Sequence, residues 1–234
     1  MKRARPPPAL TTTDKDRKID TPPTDGSKRQ FGEKDNATAV DESLSWSTFN
    51  VDMIPTKKSL HSSFQRHLSA AQLHLNHQSK EETTKNIQLL DLGCGDGRLS
   101  KELSNNGFHV VGVDVNAEAV VMANERLHQC DGGGGRAVVG DVTTIRLPET
   151  FSCCLCQLLI SVVGDVDQRR QLLNTVSHHL MPGGSLLLSA SGDSGEINKN
   201  YARLYEKDSI NTGEERTYYS RDKKGRVLYT THHF

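Results

Sequence analysis

Gly93, Gly95 and Gly97 stand at alternate positions after the apolar run ending in Asp91-Leu92, within LLDLGCGDGRLS, Leu89 to Ser100. A strand that ends in such a turn and leads into a helix brings backbone very close to a ligand. Glycine removes the Cβ atoms that would block the approach and permits positive φ. Dinucleotide-binding dehydrogenases need glycine at the first, third and sixth positions of this turn, the last for tight packing of helix on strand. Counted from Gly93, the sixth position here is Arg98, and the third glycine sits at the fifth, Gly97. That disfavours a dehydrogenase. No Gly-Lys-Ser/Thr follows, so the Walker phosphate loop fails too.

From Ile87 onward, strand and helix patterns alternate. IQLLDL, HVVGVDV, RAVVGDV, FSCCLCQLL and SLLLSA read as strands. GRLSKELSNN, AEAVVMANERLHQ (capped by Asn116) and DQRRQLLNTVSHHL (with Leu173, Val176 and Leu180 on one face) read as helices. Alternation of this kind predicts a doubly wound, mostly parallel α/β sheet with helices on both faces. Before it, SLHSSFQRHLSAAQLHLN carries Leu60, Phe64, Leu68, Ala71 and Leu75 on one helical stripe. Its histidines, His61, His67, His74 and His77, gain no carboxylate or thiol at ligand spacing and read as a solvated or half-buried face. After the alternating region, TYYSRDKKGRVLYTTHH reads as two strands around a polar turn, Asp222 to Gly225.

The expected organisation is a disordered tail over 1–43 and one domain over 44–234. That domain divides into an N-terminal helical and lid segment (44–86), a ligand-binding core (87–190), and a substrate segment with a C-terminal hairpin (191–234). Trp46 and TFNVDMIP are the lid candidates. Hydrophobic residues make up 34% of the chain, low for a fully packed one, and the tail accounts for that. Lys plus Arg equals Asp plus Glu at 29 each, so net charge calls for neither nucleic acid nor an anionic membrane as a partner. There is no apolar run of bilayer-spanning length and no signal-peptide pattern, which points to a cytoplasmic protein. The basic opening MKRARPPP reads as a solvated end in preference to a nuclear-import signal. Cys153, Cys154 and Cys156 crowd one strand and alternate between its faces, which predicts reduced core thiols and no metal centre. His178 and His179 are expected to face solvent.

Two further carboxylates stand at predicted strand tips. Asp114 ends the second strand, where a carboxylate can accept hydrogen bonds from both hydroxyls of a ribose. Asp141 ends the third, in reach of an exocyclic amine such as that of adenine. Each alone reads as a cap or turn residue; in register with the glycine turn, they read as a ligand site.

Together, LLDLGCGDGRLS, VVGVDVN, VVGDV and LMPGGSLLLS resemble the ordered motifs of class I S-adenosylmethionine-dependent methyltransferases, over about Leu89 to Ser189. The resemblance implies a Rossmann-like sheet and S-adenosylmethionine as cofactor. It implies that Asp91 and the turn Gly93, Cys94, Gly95 and Gly97 cradle the methionine part. Asp114 would hold the ribose with Val115 beside the adenine, and Asp141 with the backbone at Val142 would read the adenine edge. Gln157 would lie near the sulfonium and the substrate entrance. Ser152 follows Phe151 where members often have Asp, and Ser161 and Val162 stand where many have His. The Asn/Asp-Pro-Pro-aromatic signature is absent after the fourth strand, which disfavours DNA-adenine and glutamine-amide acceptors.

The expected activity is methyl transfer to a small-molecule acceptor. The alternatives are an inactive, cofactor-binding partner subunit and a protein methyltransferase. Tyr201, Arg203, Tyr205 and Glu206 fall on a helix on the acceptor side, and His232, His233 and Tyr201 are the candidate catalytic groups. RVLYTTHHF is expected as the sixth strand of the sheet, with the family's last helix and seventh strand lacking. The fifth strand would then keep an uncovered edge.

Overall fold

The computed structural model describes residues 46–51, 59–78, 87–131, 134–193 and 198–234, with backbone alone over 72–78. The expected tail, the basic opening, the lid stretch after Val51, and the side chains of His74, Leu75 and His77 lie outside the described residues.

In chain order the elements are α1 (Ser62–Gln78), β1 (Gln88–Leu92), α2 (Arg98–Asn105), β2 (His109–Asp114), α3 (Ala117–His128), β3 (Gly135–Val139), β4 (Phe151–Gln157), α4 (Val166–His179), β5 (Leu180–Ser189), α5 (Lys199–Thr212), β6 (Thr217–Arg221) and β7 (Val227–His232). A single 3₁₀ turn, Leu159–Ser161, follows β4. Strands β1 to β5 form one parallel sheet in the order β3-β2-β1-β4-β5. Chain direction across the sheet reverses between β1 and β4, and ligands of open α/β sheets bind outside the carboxyl ends at that point.

Strand alternation sorts the core into two faces. Leu89, Val110, Cys153, Leu155 and Leu187 meet Phe64 and Leu68 of α1 and Leu99 and Leu103 of α2. Leu90, Leu92, Val111, Val113, Cys154 and Cys156 meet Leu172 and Val176 of α4. The β4 thiols are thus split between the faces, as their spacing predicts. Burial pushes Cys153 and Cys154 up to about 12, so both stay protonated.

Helix α4 corrects the expected phase. Its buried face is Arg169, Leu172, Thr175, Val176 and His179, while Leu173 is 40% exposed and Leu180 already belongs to β5. His179 does not face solvent: it is fully buried. Its Nε2 accepts from the Leu147 N–H at 2.9 Å, and its Nδ1 lies 2.8 Å from the Thr175 carbonyl. Those two bonds require a ring protonated on Nδ1 alone. Strand β5 also starts earlier than SLLLSA, at Leu180, and absorbs Pro182 to Gly184 in a bulge opposite Phe151–Cys153.

The C-terminal segment departs further. β7 pairs antiparallel with β6 in a separate two-stranded sheet, so RVLYTTHHF is not a sixth strand of the main sheet. The turn is the expected one: Asp222 Oδ1 accepts the Lys224 and Arg226 N–H groups, and Gly225 takes φ 81°. Among the described residues β5 is the edge of the main sheet, and no strand pairs with its outer side. Helix α5 closes the outer edge of β6. Its buried Asp208 accepts the Tyr219 N–H at 3.0 Å and takes both Arg221 nitrogens at 2.7 Å.

Candidate active site

The glycine turn is built by backbone bonds to the neighbouring strand. The Gly93 and Cys94 N–H groups both donate to the Val113 carbonyl, at 2.8 and 3.0 Å. Gly93, Gly95 and Gly97 take φ of 65°, 54° and 75°, values that side chains disfavour. Their surroundings differ. A Cβ on Gly97 would sit 2.6 Å from the Ala123 Cα of α3, so this glycine allows α2 and α3 to touch. A Cβ on Gly95 would meet nothing within 4 Å, so that glycine faces open space. The tight-packing role of the sixth-position glycine in dehydrogenases is filled here by the fifth position.

The turn is pinned from below and from the side. Asp91 is fully buried and accepts the Ser100 hydroxyl at 2.7 Å, which ties β1 to the first turn of α2. Its carboxylate thereby ties the end of the strand to the helix that follows the turn. Asp96, also buried, accepts from Arg126 of α3 at its carbonyl (2.7 Å) and at its carboxylate Oδ2 (3.0 Å), and Arg98 lies 2.9 Å from the same Oδ2. Cys94 turns its thiol away from the open side, into a cluster with Val120, Ala123, Leu127 and Ala137.

Asp114 is oriented on both oxygens. Oδ2 accepts the Gly95 N–H at 2.8 Å and Oδ1 accepts the Asn116 N–H at 2.9 Å. Two backbone N–H groups thus fix the orientation of a carboxylate at the tip of β2, and carboxylate oxygens are the acceptors that vicinal hydroxyls bind. Val115, beside it, is half-buried. Asp141 lies in the loop after β3, exposed, with Oδ1 on the N–H and hydroxyl of Thr143 at 2.8 and 2.7 Å. That is the turn-residue role, and it leaves Oδ2 for a further donor. Val142 packs its side chain into the α4 face of the core.

Gln157 ends β4, buried, and spends its amide on chain that precedes the sheet. Oε1 accepts the His61 N–H at 3.1 Å and Nε2 donates to the Ser59 carbonyl at 2.9 Å. Asn116 does likewise at the tip of β2. Its Oδ1 caps α3 on the Ala119 N–H, while Nδ2 donates to the Trp46 and Phe49 carbonyls at 3.0 and 2.8 Å. Leu158, immediately after Gln157, is a non-glycine residue at φ 61° and 48% exposed, strained backbone beside the open edge.

The two terminal histidines part company. His233 is buried, with Nδ1 2.6 Å from the Tyr205 hydroxyl and the rings of Tyr201 and Tyr218 at 4.9 and 5.4 Å. Burial lowers its pKa, opposed by the charge of Asp193, so the ring holds a lone pair at neutral pH. His232 turns to the other face of β7, on Thr217 Oγ1 at 2.7 Å and near Glu214, which is paired with Arg169. Burial and then the Arg169 charge lower it. The structure thus brings two of the sequence candidates, Tyr201 and His233, into one cluster with Tyr218, which sequence reasoning missed. Asp96, Arg126 and the second bond set of Asn116 were also invisible, because each partner lies far along the chain.

Strand β7 reaches both sides of the site. Next to His233, the Phe234 N–H donates to the Ser191 carbonyl at 2.9 Å, just past β5, and Ser191 in turn bonds Ser161 past β4. At its other end Tyr229 packs on Trp46, ring centroids 4.3 Å apart. Four residues of strand cover about 13 Å, close to the roughly 14 Å that separates the tips of β5 and β2 across β4 and β1.

The sheet and its glycine turn have counterparts among known proteins. A sequence profile described as a methyltransferase domain matches residues 89–184, the stretch from β1 through the first half of β5. A ubiquinone biosynthesis O-methyltransferase of Xylella fastidiosa (strain M23) is 30% identical over 118 residues, 49% of this chain and 46% of that protein. The mitochondrial ubiquinone biosynthesis O-methyltransferase of Schizosaccharomyces pombe is 32% identical over 104 residues, 44% of this chain and 37% of that protein. The chain therefore matches less than half the length of these relatives. A crystal structure of a SAM-dependent methyltransferase from Methanosarcina mazei superposes with a TM-score of 0.63 at 26% identity, covering 75% of this chain and 79% of that one. Sheet order, glycine turn and matched residues agree: over residues 89–184 the chain is similar to the methyltransferase domain, and its fold is that of the Methanosarcina mazei SAM-dependent methyltransferase.

Proposed function

We propose that this chain transfers a methyl group from S-adenosylmethionine to a small-molecule acceptor. The observation that carries the reading is Asp114, whose two oxygens are fixed by the Gly95 and Asn116 N–H groups next to a turn that is open at Gly95. Those features fit a ribose and an extended chain lying on bare backbone, which is the shape of the cofactor. The ubiquinone O-methyltransferases among the relatives act on small molecules by name, and that supports the acceptor class.

When bound, the cofactor supplies a methyl already activated on a positive sulfur. The chain's own work is then binding and alignment, worth roughly 7–11 kcal/mol of barrier in favourable cases. Asp114 takes the ribose hydroxyls. Val115, and Asp141 with Val142, flank the adenine. The Gly93–Gly97 backbone receives the methionine part, with Asp91 holding the turn in place from beneath. Gln157 shapes the entrance through the Ser59–His61 chain it binds. On the acceptor side, His233 is kept neutral by burial and holds a lone pair for a proton, with Tyr205 fixing the ring. Tyr201 and Tyr218 supply aromatic walls. His232, held by Thr217 on the opposite face of β7, is placed for structure. The working domain is 44–234, with 1–43 as a tail. Among the described residues no helix is long and apolar enough to cross a membrane.

Calorimetric titration with S-adenosylmethionine and S-adenosylhomocysteine tests the reading. Asp114→Ala removes hydrogen bonds to a charged group, and affinity should fall about 10- to 100-fold. Binding without turnover across an acceptor panel would favour the cofactor-binding partner reading. Absence of binding by a folded chain would end both.

A further inference from the structure

We propose that Trp46, Phe49 and Tyr229 form a latch over the nucleoside end of the cofactor site, and that cofactor and demethylated product pass only when Trp46 parts from Tyr229. The inference rests on the cofactor reading of Asp114 and goes beyond it.

Asn116 is the hinge of the argument. It is 2% exposed, its backbone N–H bonds the Asp114 carboxylate, and its side chain carries residues 46–49. An amide nitrogen has two hydrogens, and the Trp46 and Phe49 carbonyls take both. The chain at 46–49 is thus one residue removed from the carboxylate that would hold the ribose. Phe49 is 3% exposed, and its ring meets Trp46 edge-on at 5.2 Å. Downstream, Gln157 holds Ser59 and His61 at the tip of β4. The two anchor points flank β1, whose tip carries the glycine turn.

From the opposite side comes Tyr229. Its ring lies 4.3 Å from Trp46 and 6.3 Å from Phe49. β7 is held at its far end by the bonds of Phe234 to Ser191 and Asp193, so Tyr229 sits on a strap fixed beyond β5. The join differs in kind from the anchors. Trp46 and Phe49 are tied to Asn116 by directed bonds to a buried amide, whereas they meet Tyr229 through ring faces. Ring contact between two separately anchored segments is the seam that opens at least cost. A nucleoside seated on Asp114 lies beside that seam.

Trp46 is the chain's one tryptophan, so its emission reads the latch directly. The test follows Trp46 emission and its quenching by acrylamide as S-adenosylhomocysteine is added, with calorimetry on the same samples. Release of bound S-adenosylhomocysteine is then timed by displacement in the wild type, Tyr229→Ala and Tyr229→Phe. Expected are a changed emission, weaker quenching in the bound state, release about three- to tenfold faster in Tyr229→Ala, and near-wild-type release in Tyr229→Phe. Calorimetric binding with unchanged emission, unchanged quenching and unchanged release from a folded Tyr229→Ala overturns the latch and leaves the cofactor reading standing. If Tyr229→Ala does not fold, wild-type emission and quenching decide alone. If calorimetry finds no binding, the cofactor reading falls and takes the latch with it.

Discussion

Among single residues, two of the turn's glycines separate folding from binding. Gly97 meets α3 backbone and Gly95 meets open space, although both have positive φ. Gly97→Ala carries the backbone strain plus a collision with Ala123, and should cost about 3 kcal/mol or more. Gly95→Ala carries the strain alone, about 1–2 kcal/mol, but puts a methyl where the ligand is expected. Urea unfolding and S-adenosylhomocysteine titration of both variants check this: Gly97→Ala should lose more stability, and Gly95→Ala should lose affinity out of proportion to stability. Equal losses of both kinds would contradict the division. The residue scale also shows where sequence reading stops. The spacing of Gly93, Gly95 and Gly97 was plain in the sequence because turn chemistry is local. The second task of Asn116 was hidden because its partners are carbonyls 67 and 70 positions earlier, and any residue offers a carbonyl. His179 was misread for a related reason: the Leu147 N–H that buries it comes from a loop 32 residues away.

Elements tell a similar story in larger units. Strands and helices from β1 to α4 were legible because their apolar periods are strong and one sheet repeats them. The phase of α4 was not, since Leu172 and Leu173 are adjacent and both apolar; packing on Leu90 and Val111 chose between them. β6 and β7 were legible as strands, but which strand each would pair with was not, because period-two alternation names a conformation and no partner. Asp208 and Arg221 are what give this hairpin its own helix. Burial alone would raise the Asp208 carboxyl, but hydrogen bonds from Arg221 and the Tyr219 N–H outweigh it and hold it below the usual carboxylate value. Arg221→Met leaves that carboxylate buried without its cation and should destabilise the α5–β6–β7 unit by about 2–3 kcal/mol. Limited proteolysis is the direct check: new cleavage should appear in 199–232 ahead of any in β1 to β4. Cleavage spread evenly over the chain would show that the pair stabilises the whole domain.

For the whole molecule, the same buried groups set a pH profile. His232 and His233 are both lowered from 6.5 by burial. The unfolded chain then binds protons first as pH falls. Their contribution to stability is present above about pH 6.5 and is lost as pH drops toward the folded values. Asp208, lowered from 3.8, adds a second and more acidic loss, present above about pH 4 and gone below its folded value. Urea midpoints measured from about pH 8 to about pH 3 should therefore fall in two stages, and His233→Gln should shrink the first. A flat profile down to about pH 5 would mean that neither histidine is kept neutral by the fold.

The distribution of sulfur has a practical consequence. Cys153, Cys154 and Cys156 lie inside the sheet on β4, two of them with thiols pushed up to about 12, while Cys130 is half-exposed at the end of α3. A thiol-modifying reagent meets Cys130 on the native molecule. It meets the β4 sulfurs only after β4 has come apart from its neighbours, because both solvent access and thiolate are withheld until then. Labelling stoichiometry followed over time is therefore a built-in clock for opening of the sheet, running independently of what the aromatic seam above it is doing.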